Sequence, residues 1–282
     1  MQEQETSETE PSYESIRVEL EAFLPSVGQK VLQLRHSAET DPNFVRLKAD
    51  KTIVTKADEL SEDLIRGWIE EHFPEDTIRG EEREQKQGGA RSWIVDPIDG
   101  TYNFNNLGNR FSISVGLIEN NIPKVGILFY PAEDISISAS EGMGASINGI
   151  ALETSKGETQ LDKAKMIIGE PTELPQYFSD ARFKEAIEQQ ASLVSQTRHE
   201  LVGMSYTFAF LRFLQENTDA ILHFGVAPHD VAAVAAIARE LKLEVSGYDG
   251  KPLDFTKNTV PTVISKNSIL HEDIIKRLNS RS

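Results

Sequence analysis

The 282-residue sequence contains no cysteine and no long hydrophobic run. Without cysteine there can be no disulfide bond, no thiolate nucleophile and no cysteine-ligated zinc site. No apolar stretch reaches the roughly 18 residues that a membrane-spanning helix needs. The first fifteen residues are polar and acidic, unlike a secretory signal. We therefore expect a cytoplasmic protein that does not interact with membranes.

Positively charged residues are also scarce. The chain has 29 Lys and Arg against 45 Asp and Glu, which gives a net charge of −16. The electrostatic field of a protein with this net charge repels polyanions, so nucleic acid is an unfavourable partner. If the ligand is a small phosphorylated molecule, bound cations must supply most of the attraction. The charge balance therefore favours a metal-dependent activity on a small molecule.

The composition is that of a folded protein, with 39% hydrophobic and 26% charged residues. Residues 1–12 are polar and acidic, and we predict a disordered tail there. A polar, glycine-containing stretch near 155–161 divides the rest of the chain. This boundary predicts an N-terminal α+β half, 13–157, and a C-terminal α/β half, 158–282, with a functional site between them.

Hydrophobic spacing predicts the elements of both halves. One helical stripe begins at Ile16 and ends at Leu34, with a kink or break at Pro25, and a second helix follows Thr55 as its N-cap. Alternating residues then predict an antiparallel sheet with strands at 92–95, 111–118, 125–129 and 135–140. Later, apolar runs at 166–168 and 220–224 alternate with helices predicted at 181–190, 203–215 and 231–241.

The most informative stretch is Asp96-Pro97-Ile98-Asp99-Gly100-Thr101, which follows an apolar strand. Pro97 keeps Asp96 out of the helical region and stops the strand, so the chain must turn there. Gly100 allows a positive φ or the close approach of a ligand, and Thr101 can cap a short helix whose free N–H groups bind phosphate. Alternatively, the two aspartates only form an Asx-type turn, as most Asp-Pro and Asp-Gly pairs do.

Three other segments favour the functional interpretation. They are Gly80-Glu81-Glu82 before the strand, Val54 to Asp58 at the start of the second helix, and Pro228-His229-Asp230 at the start of a small-residue helix. With the aspartate motif they resemble the inositol monophosphatase family over roughly residues 50–255. The resemblance implies a layered αβαβα sugar-phosphatase fold, a homodimer, and a magnesium-dependent phosphatase that lithium inhibits.

The resemblance also implies roles for individual residues. The metal ligands would be Glu81, Asp96, Asp99, Asp230 and the backbone carbonyl of Ile98. Asp58 and Thr101 would orient the attacking water, Gly100 and Thr101 would contact phosphate through their amides, and Asp99 and Asp230 would also face the substrate. Glu81 is assigned by analogy, because adjacent side chains of an extended segment point to opposite sides and only one of Glu81 and Glu82 would reach a given ion.

Elementary electrostatics supports the same ligand set. Two carboxylates 4 Å apart repel by roughly 4 kcal/mol at an effective dielectric of 20, so four of them in one pocket need cations. Oxygen ligands without His or Cys favour a hard ion, Mg²⁺ first, with Mn²⁺ or Ca²⁺ as competitors. Two ions neutralise four carboxylates, and a third would attract the phosphate.

We therefore predict Mg²⁺-dependent hydrolysis of a small phosphate monoester by metal-activated water. Glu81 and Thr101, supported by Asp58, would position this water, and a second ion near Asp99 and Asp230 would stabilise the leaving oxygen. The rival hypothesis is a non-catalytic metal-binding regulator with the same fold. Such a relative would be expected to lack a metal carboxylate or Thr101, and this sequence keeps them all.

The sequence departs from the family pattern on the substrate side. His229 replaces the usual Trp before the last metal aspartate, and His223 stands where relatives tend to carry a Glu that contacts inositol. We expect His223 to contact the substrate and assign no catalytic role to His229; the alternative is that both are structural. Gly203 and Ser205 are further candidate contacts, with helix-start packing as the alternative. The best substrate hypothesis is myo-inositol monophosphate, with histidinol phosphate, fructose 1,6-bisphosphate and adenosine 3′,5′-bisphosphate as alternatives.

Overall fold

The computed structural model describes residues 11–38, 41–49, 52–169, 184, 187–188, 191, 193–195, 197–202, 204–216 and 218–280. Its helices are α1 Tyr13–Arg35, α2 Lys56–His72, α3 Thr101–Asn105, α4 Tyr206–Gln215, α5 Pro228–Glu240 and α6 Ser268–Asn279. Its strands are β1 Val45–Leu47, β2 Ile53–Thr55, β3 Thr77–Gly80, β4 Arg91–Asp99, β5 Ser112–Glu119, β6 Ile122–Tyr130, β7 Ile135–Ser140, β8 Gly144–Ile147, β9 Ile150–Ala151, β10 Lys165–Gly169, β11 Arg198–Val202, β12 Ala220–Val226, β13 Glu244–Ser246 and β14 Val260–Ser265.

These elements form five layers. Helices α1 and α2 cover one face of a seven-stranded sheet with the order β3-β4-β5-β6-β7-β8-β9. Helices α4 and α5 lie between that sheet and a five-stranded sheet with the order β11-β10-β12-β14-β13. Helix α6 packs on the outer face of the second sheet. The predicted αβαβα fold is confirmed, and its helical layers bury both sheets in a large hydrophobic core.

The seven-stranded sheet is antiparallel from β4 to β9, as predicted, but its edge strand β3 is parallel to β4. Gly80 at the end of β3 lies opposite Val95 of β4. Because parallel strands end at the same edge of a sheet, Glu81 and Asp96, the next residue of each segment, come to adjacent positions. The sequence did not predict this strand, and it is what brings the glutamate motif to the aspartate motif.

Helix α1 is continuous from Tyr13 to Arg35. Of the kink or break predicted at Pro25, the break is therefore wrong. An internal proline costs roughly 3 kcal/mol through the lost hydrogen bond and the clash of its ring. The helix offsets this cost by burying residues on both sides of Pro25, including Leu24 and Val27, against the seven-stranded sheet.

Helix α5 lies unusually close to the seven-stranded sheet. A Cβ placed on Gly116 of β5 would lie 2.8 Å from the side chain of Ala232, and one on Gly126 of β6 would lie 2.3 Å from the carbonyl oxygen of Ala233. Only glycine in the strands, facing alanine in the helix, permits this approach. The close packing holds the first turn of α5, which carries Asp230, near the end of β4.

Several predicted boundaries differ from those in the structure. The helix predicted from Gly203 begins at Tyr206, because Arg198–Val202 forms β11, which the sequence did not predict. The helix predicted at 231–241 begins at Pro228. The predicted helix at 181–190 and the predicted tail fall largely outside the described residues, although Ser12 caps α1. In the part of the chain that the structure describes, no helix combines the length and apolarity needed to cross a bilayer.

Candidate active site

The two aspartates of the central motif are brought to one face by an irregularity in β4. Asp96 pairs with Ser114 and Asp99 with Ser112, so three residues of β4 span two residues of β5. In a regular strand residues three apart point to opposite faces, but one extra residue in a bulge restores a common face. Pro97 was predicted to stop the strand, but it only interrupts the pairing, which resumes at Asp99. The Asx contact expected from the alternative interpretation is also present, since the Ile98 amide donates to Asp96 at 3.0 Å.

Asp99 is fixed by the first turn of α4. Its Oδ2 accepts a hydrogen bond of 2.9 Å from the Thr207 amide and another from the Thr207 hydroxyl. The amide is one of the N–H groups that a helix leaves unpaired at its start, so the carboxylate also meets the positive end of the helix dipole. Thr207 thus orients Asp99 and leaves its other oxygen, Oδ1, for a ligand.

Asp230 is positioned by the same kind of local geometry. It is the third residue of α5, and its Oδ2 accepts a 2.7 Å hydrogen bond from the Ala227 amide, as in a capping box. One oxygen from each of Asp96, Asp99 and Asp230 lies within 4.8 Å of the other two. Three of the four predicted carboxylates therefore converge from two distant parts of the chain.

The fourth carboxylate, Glu81, follows β3 and depends on a buried residue of α2. Glu62 accepts hydrogen bonds from the amides of Glu82 and Arg83, at 2.6 and 3.1 Å. A Cβ on Gly80 would lie 1.9 Å from the Glu62 carboxylate, so only glycine fits there. Glu62 therefore acts as an anchor that sets the path of the chain immediately around Glu81.

Lys48, just after β1, bridges the two glutamates. Its Nζ lies 2.6 Å from Oε1 of Glu81 and 2.6 Å from Oε1 of Glu82. Burial by itself lowers the pKa of the Lys48 ammonium, but the two carboxylates outweigh burial and raise it above its ordinary value. Burial and the charge of Glu81 raise the pKa of Glu82 to about 7. Glu81 contacts both this lysine and the aspartate cluster, whereas Glu82 contributes no oxygen to the cluster.

Asp58 and Thr101 are joined directly. Thr101 Oγ1 lies 3.0 Å from Oδ1 of Asp58 and 3.0 Å from the carbonyl oxygen of Ile98. Asp58 is itself held by the capping box of α2, in which its Oδ2 accepts from the Thr55 amide at 2.8 Å. The Thr101 hydroxyl has one proton for two acceptors, so an ion on the Ile98 carbonyl would leave that proton to Asp58.

The N-cap of α3 is Gly100, whereas Thr101 was expected from the sequence. The φ of Gly100 is +96°, and a Cβ there would lie 2.8 Å from the carbonyl oxygen of Arg110, so both the conformation and the space require glycine. The same Cβ would lie 3.4 Å from Cβ of Ser205. Ser205 is thus adjacent to the predicted phosphate loop.

Two further substrate contacts were predicted, Gly203 and His223. Gly203 lies outside the described residues. The His223 ring packs against Gly169 at the end of β10 and makes an edge-to-face contact with Tyr206, with ring centroids 5.6 Å apart. Burial lowers the pKa of His223 to about 4, so the ring is neutral at pH 7.

His229 is the unexpected member of the site. Its Nε2 lies 4.0 Å from Oε2 of Glu81 and 3.8 Å from Oδ1 of Asp230. Glu81, Asp96 and His229 form a second group whose ligand atoms all lie within 4.8 Å of one another. Burial lowers the pKa of His229. The predicted all-oxygen ligand set therefore has a nitrogen donor beside it.

The carboxylates of this cluster are difficult to ionise together. Burial and the neighbouring carboxylates raise the pKa of Asp99 to about 7 and that of Asp96 well above its ordinary value. Burial raises the pKa of Asp58 to about 6. Burial also acts to raise the pKa of Glu81, but the nearby His229 and Lys48 hold it below its ordinary value. These shifts are those of a site built to hold positive charge.

The donor set fits divalent cations. Four carboxylates and the backbone carbonyl of Ile98 would supply hard oxygen ligands, and Asp96 belongs to both groups, so it could contribute to two ion sites. Such a pair of ions is the arrangement that supports in-line displacement at phosphorus.

Sequence reasoning missed Lys48, Glu62 and Thr207. The sequence did contain a signal for Glu62, because this charged residue occupies a buried position one helical turn before Ile65 in the apolar stripe of α2. No local sequence pattern could have identified Thr207, since it lies 108 residues from Asp99, the aspartate that it orients.

Comparisons with known proteins agree with this architecture. Residues 16–282 match the model of the inositol monophosphatase family. A fructose-1,6-bisphosphatase/inositol-1-monophosphatase of Thermotoga maritima is 29% identical over 91% of this chain and 93% of its own length. Human inositol monophosphatase 2 is 31% identical over 79% of this chain and 78% of its own length. The crystal structure of an IMPase/NADP phosphatase complexed with Mg²⁺ and phosphate superposes with a TM-score of 0.79, at 22% identity, covering 96% and 97% of the two chains.

Proposed function

Since the chain belongs to the inositol monophosphatase family and is a phosphoric monoester hydrolase, we propose that it hydrolyses a small phosphate monoester with the help of divalent cations. The observation that carries the proposal is the convergence of Asp96, Asp99 and Asp230 within 4.8 Å, next to the Thr101–Asp58 pair. A cluster of carboxylates and a polarised hydroxyl are together what metal-assisted hydrolysis needs.

Each residue has a defined task in this proposal. When bound, the cations neutralise the phosphoryl oxygens, activate a water molecule and stabilise the leaving group. Glu81, Asp96, Asp99, Asp230 and the Ile98 carbonyl hold them. Thr101 donates a hydrogen bond to Asp58 Oδ1, so the Thr101 oxygen can accept a hydrogen bond from the attacking water and thereby orient that water. The Gly100 and Thr101 amides would receive the phosphate.

The best substrate candidate is myo-inositol monophosphate. The family supports it, and two of the similar proteins carry this activity in their names. His223 gives the substrate side a neutral ring where relatives tend to have an acid, which is the reason to test histidinol phosphate, fructose 1,6-bisphosphate and adenosine 3′,5′-bisphosphate alongside it. Gly203 and Ser205 would be further contacts on that side.

Phosphate release from this panel, with and without Mg²⁺, tests the function. We expect release from at least one ester only when a divalent cation is present. Asp96→Asn should lower kcat by about 100- to 1,000-fold, as expected for the loss of a central electrostatic group. Asp249→Asn is the matched control, because Asp249 is an exposed aspartate of the turn after β13.

Two outcomes would contradict the proposal. Full activity of the Asp96→Asn protein would remove the ligand assignment. No release from any ester, with the cation demonstrably bound, would favour the non-catalytic regulator.

Family membership suggests three further properties. We propose that the chain forms a homodimer, that lithium inhibits it, and that the site lies between the halves 13–157 and 158–282. Analytical ultracentrifugation and inhibition by LiCl, with NaCl as the control salt, test the first two.

A further inference from the structure

His229 does not have the surroundings of a structural histidine. Neither ring nitrogen makes a hydrogen bond to the residues that the structure describes, and Nε2 lies 4.0 Å from a carboxylate oxygen of Glu81 and 3.8 Å from one of Asp230. These distances are too long for hydrogen bonds. By contrast His271, a buried histidine of α6, has hydroxyl partners for both nitrogens, Ser246 at 2.8 Å and Ser265 at 3.0 Å.

The two oxygens of Glu81 face different partners. Oε1 lies 2.6 Å from the Lys48 ammonium, whereas Oε2 is the oxygen that faces His229. An ion between Oε2 and Nε2 would therefore leave the lysine contact intact. Asp96 belongs to the same group, since one ligand atom from each of Glu81, Asp96 and His229 lies within 4.8 Å of the other two.

The separation between His229 and Glu81 suits one shared ion. Bonds from a first-row divalent ion to imidazole nitrogen or carboxylate oxygen are about 2.1 Å, so two ligands of one ion lie up to about 4.2 Å apart. The 4.0 Å between Nε2 and Oε2 is within that limit. A gap too long for a hydrogen bond is thus short enough for a common ion.

We propose that His229 Nε2 is a direct ligand of the cation held by Glu81 and Asp96, and that this site prefers a first-row transition-metal ion, such as Mn²⁺, to Mg²⁺. The inference rests on the proposed function for the presence of a cation. Its chemistry is that Mn²⁺ shares the preference of Mg²⁺ for oxygen ligands but, as a transition-metal ion, also accepts imidazole, whereas Mg²⁺ selects oxygen. It replaces the expectation that Mg²⁺ is the preferred ion and gives His229 a role that the sequence did not suggest.

Pulsed electron paramagnetic resonance of the full chain with one equivalent of Mn²⁺ tests the ligand directly. We expect the nitrogen-14 modulation of a coordinated imidazole in the wild-type protein. The modulation should disappear in His229→Gln and persist in the control His271→Gln. A wild-type spectrum without nitrogen coupling would overturn the inference, and so would coupling that survives in His229→Gln.

Metal affinities provide a second readout. Titration with MnCl₂ or MgCl₂ alone should show that His229→Gln weakens Mn²⁺ binding by about 10-fold or more and lowers the ratio of Mn²⁺ to Mg²⁺ affinity by a similar factor. Circular dichroism establishes that the variant is folded. Equal weakening of Mn²⁺ and Mg²⁺ binding would mean that the histidine only shapes the site, and would overturn the inference.

The two proposals fail separately. Hydrolysis of an ester with Mg²⁺, in a protein whose Mn²⁺ form lacks nitrogen coupling, would leave the function standing and overturn the His229 ligand. Nitrogen coupling in a protein that hydrolyses no ester would establish the ligand and overturn the function.

Discussion

Individual buried histidines have different roles in this protein because their neighbours differ. His271 is a buried residue of α6, and its ring bridges Ser246 of β13 and Ser265 of β14. A neutral imidazole can donate from one nitrogen and accept at the other, so both hydroxyl contacts suit the uncharged form. Burial lowers the pKa of His271 from 6.5 to about 4.

This shift predicts a pH dependence of stability. Above pH 6.5 the ring is neutral in both the folded and the unfolded chain, and its full contribution is present. As the pH falls from 6.5 towards 4, only the unfolded chain takes up the proton, so stability is lost. Between pH 7 and pH 5 we expect a loss of roughly 1 to 2 kcal/mol from this residue.

Urea unfolding of wild type and His271→Gln at pH 7 and pH 5 measures this loss of stability. The contributions of the other titrating groups cancel in the difference between the two proteins. The variant should be less stable at pH 7 but lose less stability on acidification. His36→Gln, at the end of α1, controls for the removal of one histidine. Parallel pH profiles for wild type and His271→Gln would contradict the prediction.

At the scale of elements, the site depends on how closely α5 approaches the sheet. Gly116 and Gly126 are the positions where β5 and β6 meet the alanines of the helix. The same helix supplies Asp230 and His229 from its first turn. A displacement of the helix away from the sheet would therefore separate these residues from Asp96 and Asp99.

Two glycine-to-alanine substitutions should have opposite effects. In Gly126→Ala the new Cβ would lie 2.3 Å from a backbone oxygen, so α5 must shift; we expect a loss of about 1 to 3 kcal/mol, as for overpacking, and weaker cation binding. Gly67→Ala in α2 meets nothing within 4 Å and should stabilise the chain by up to about 1 kcal/mol through helix propensity. Chemical denaturation and metal titration measure both. Equal stability of the two variants would show that the approach of α5 tolerates a methyl group.

At the scale of the whole molecule, the net charge of −16 and the buried carboxylates act in the same direction. Both make the cation-free protein less stable than its core alone would allow, because like charges are held together on folding. Cations that bind only the folded chain would relieve this repulsion.

Divalent cations should therefore raise the melting temperature. A ligand at 100 times its Kd stabilises the folded state by about 2.7 kcal/mol, which corresponds to a rise of roughly 5 °C for a chain of this size. Differential scanning calorimetry in MgCl₂ or MnCl₂, against KCl of equal ionic strength, measures it. Asp96→Asn should lose most of the rise. A rise of the same size in KCl would mean that screening alone is responsible.

The sequence by itself determined the local chemistry of the site. The aspartate motif, the cap at Thr55 and the acidic start of α5 are signals within a few residues, and hydrogen bonds of the backbone near them fix their geometry. The resemblance carried by these motifs also identified the layered fold. The choice of hard divalent cations followed from counting carboxylates, because charge is a property of residue types rather than of their arrangement.

Only the tertiary structure decided how these pieces meet. The bulge between Asp96 and Asp99 depends on pairing with β5, and the hydrogen bond from Thr207 to Asp99 joins residues 108 positions apart. The nitrogen donor beside Glu81 likewise arises because α5 packs against the sheet that holds β4. Such contacts depend on packing between distant segments, and no short stretch of sequence encodes a packing distance.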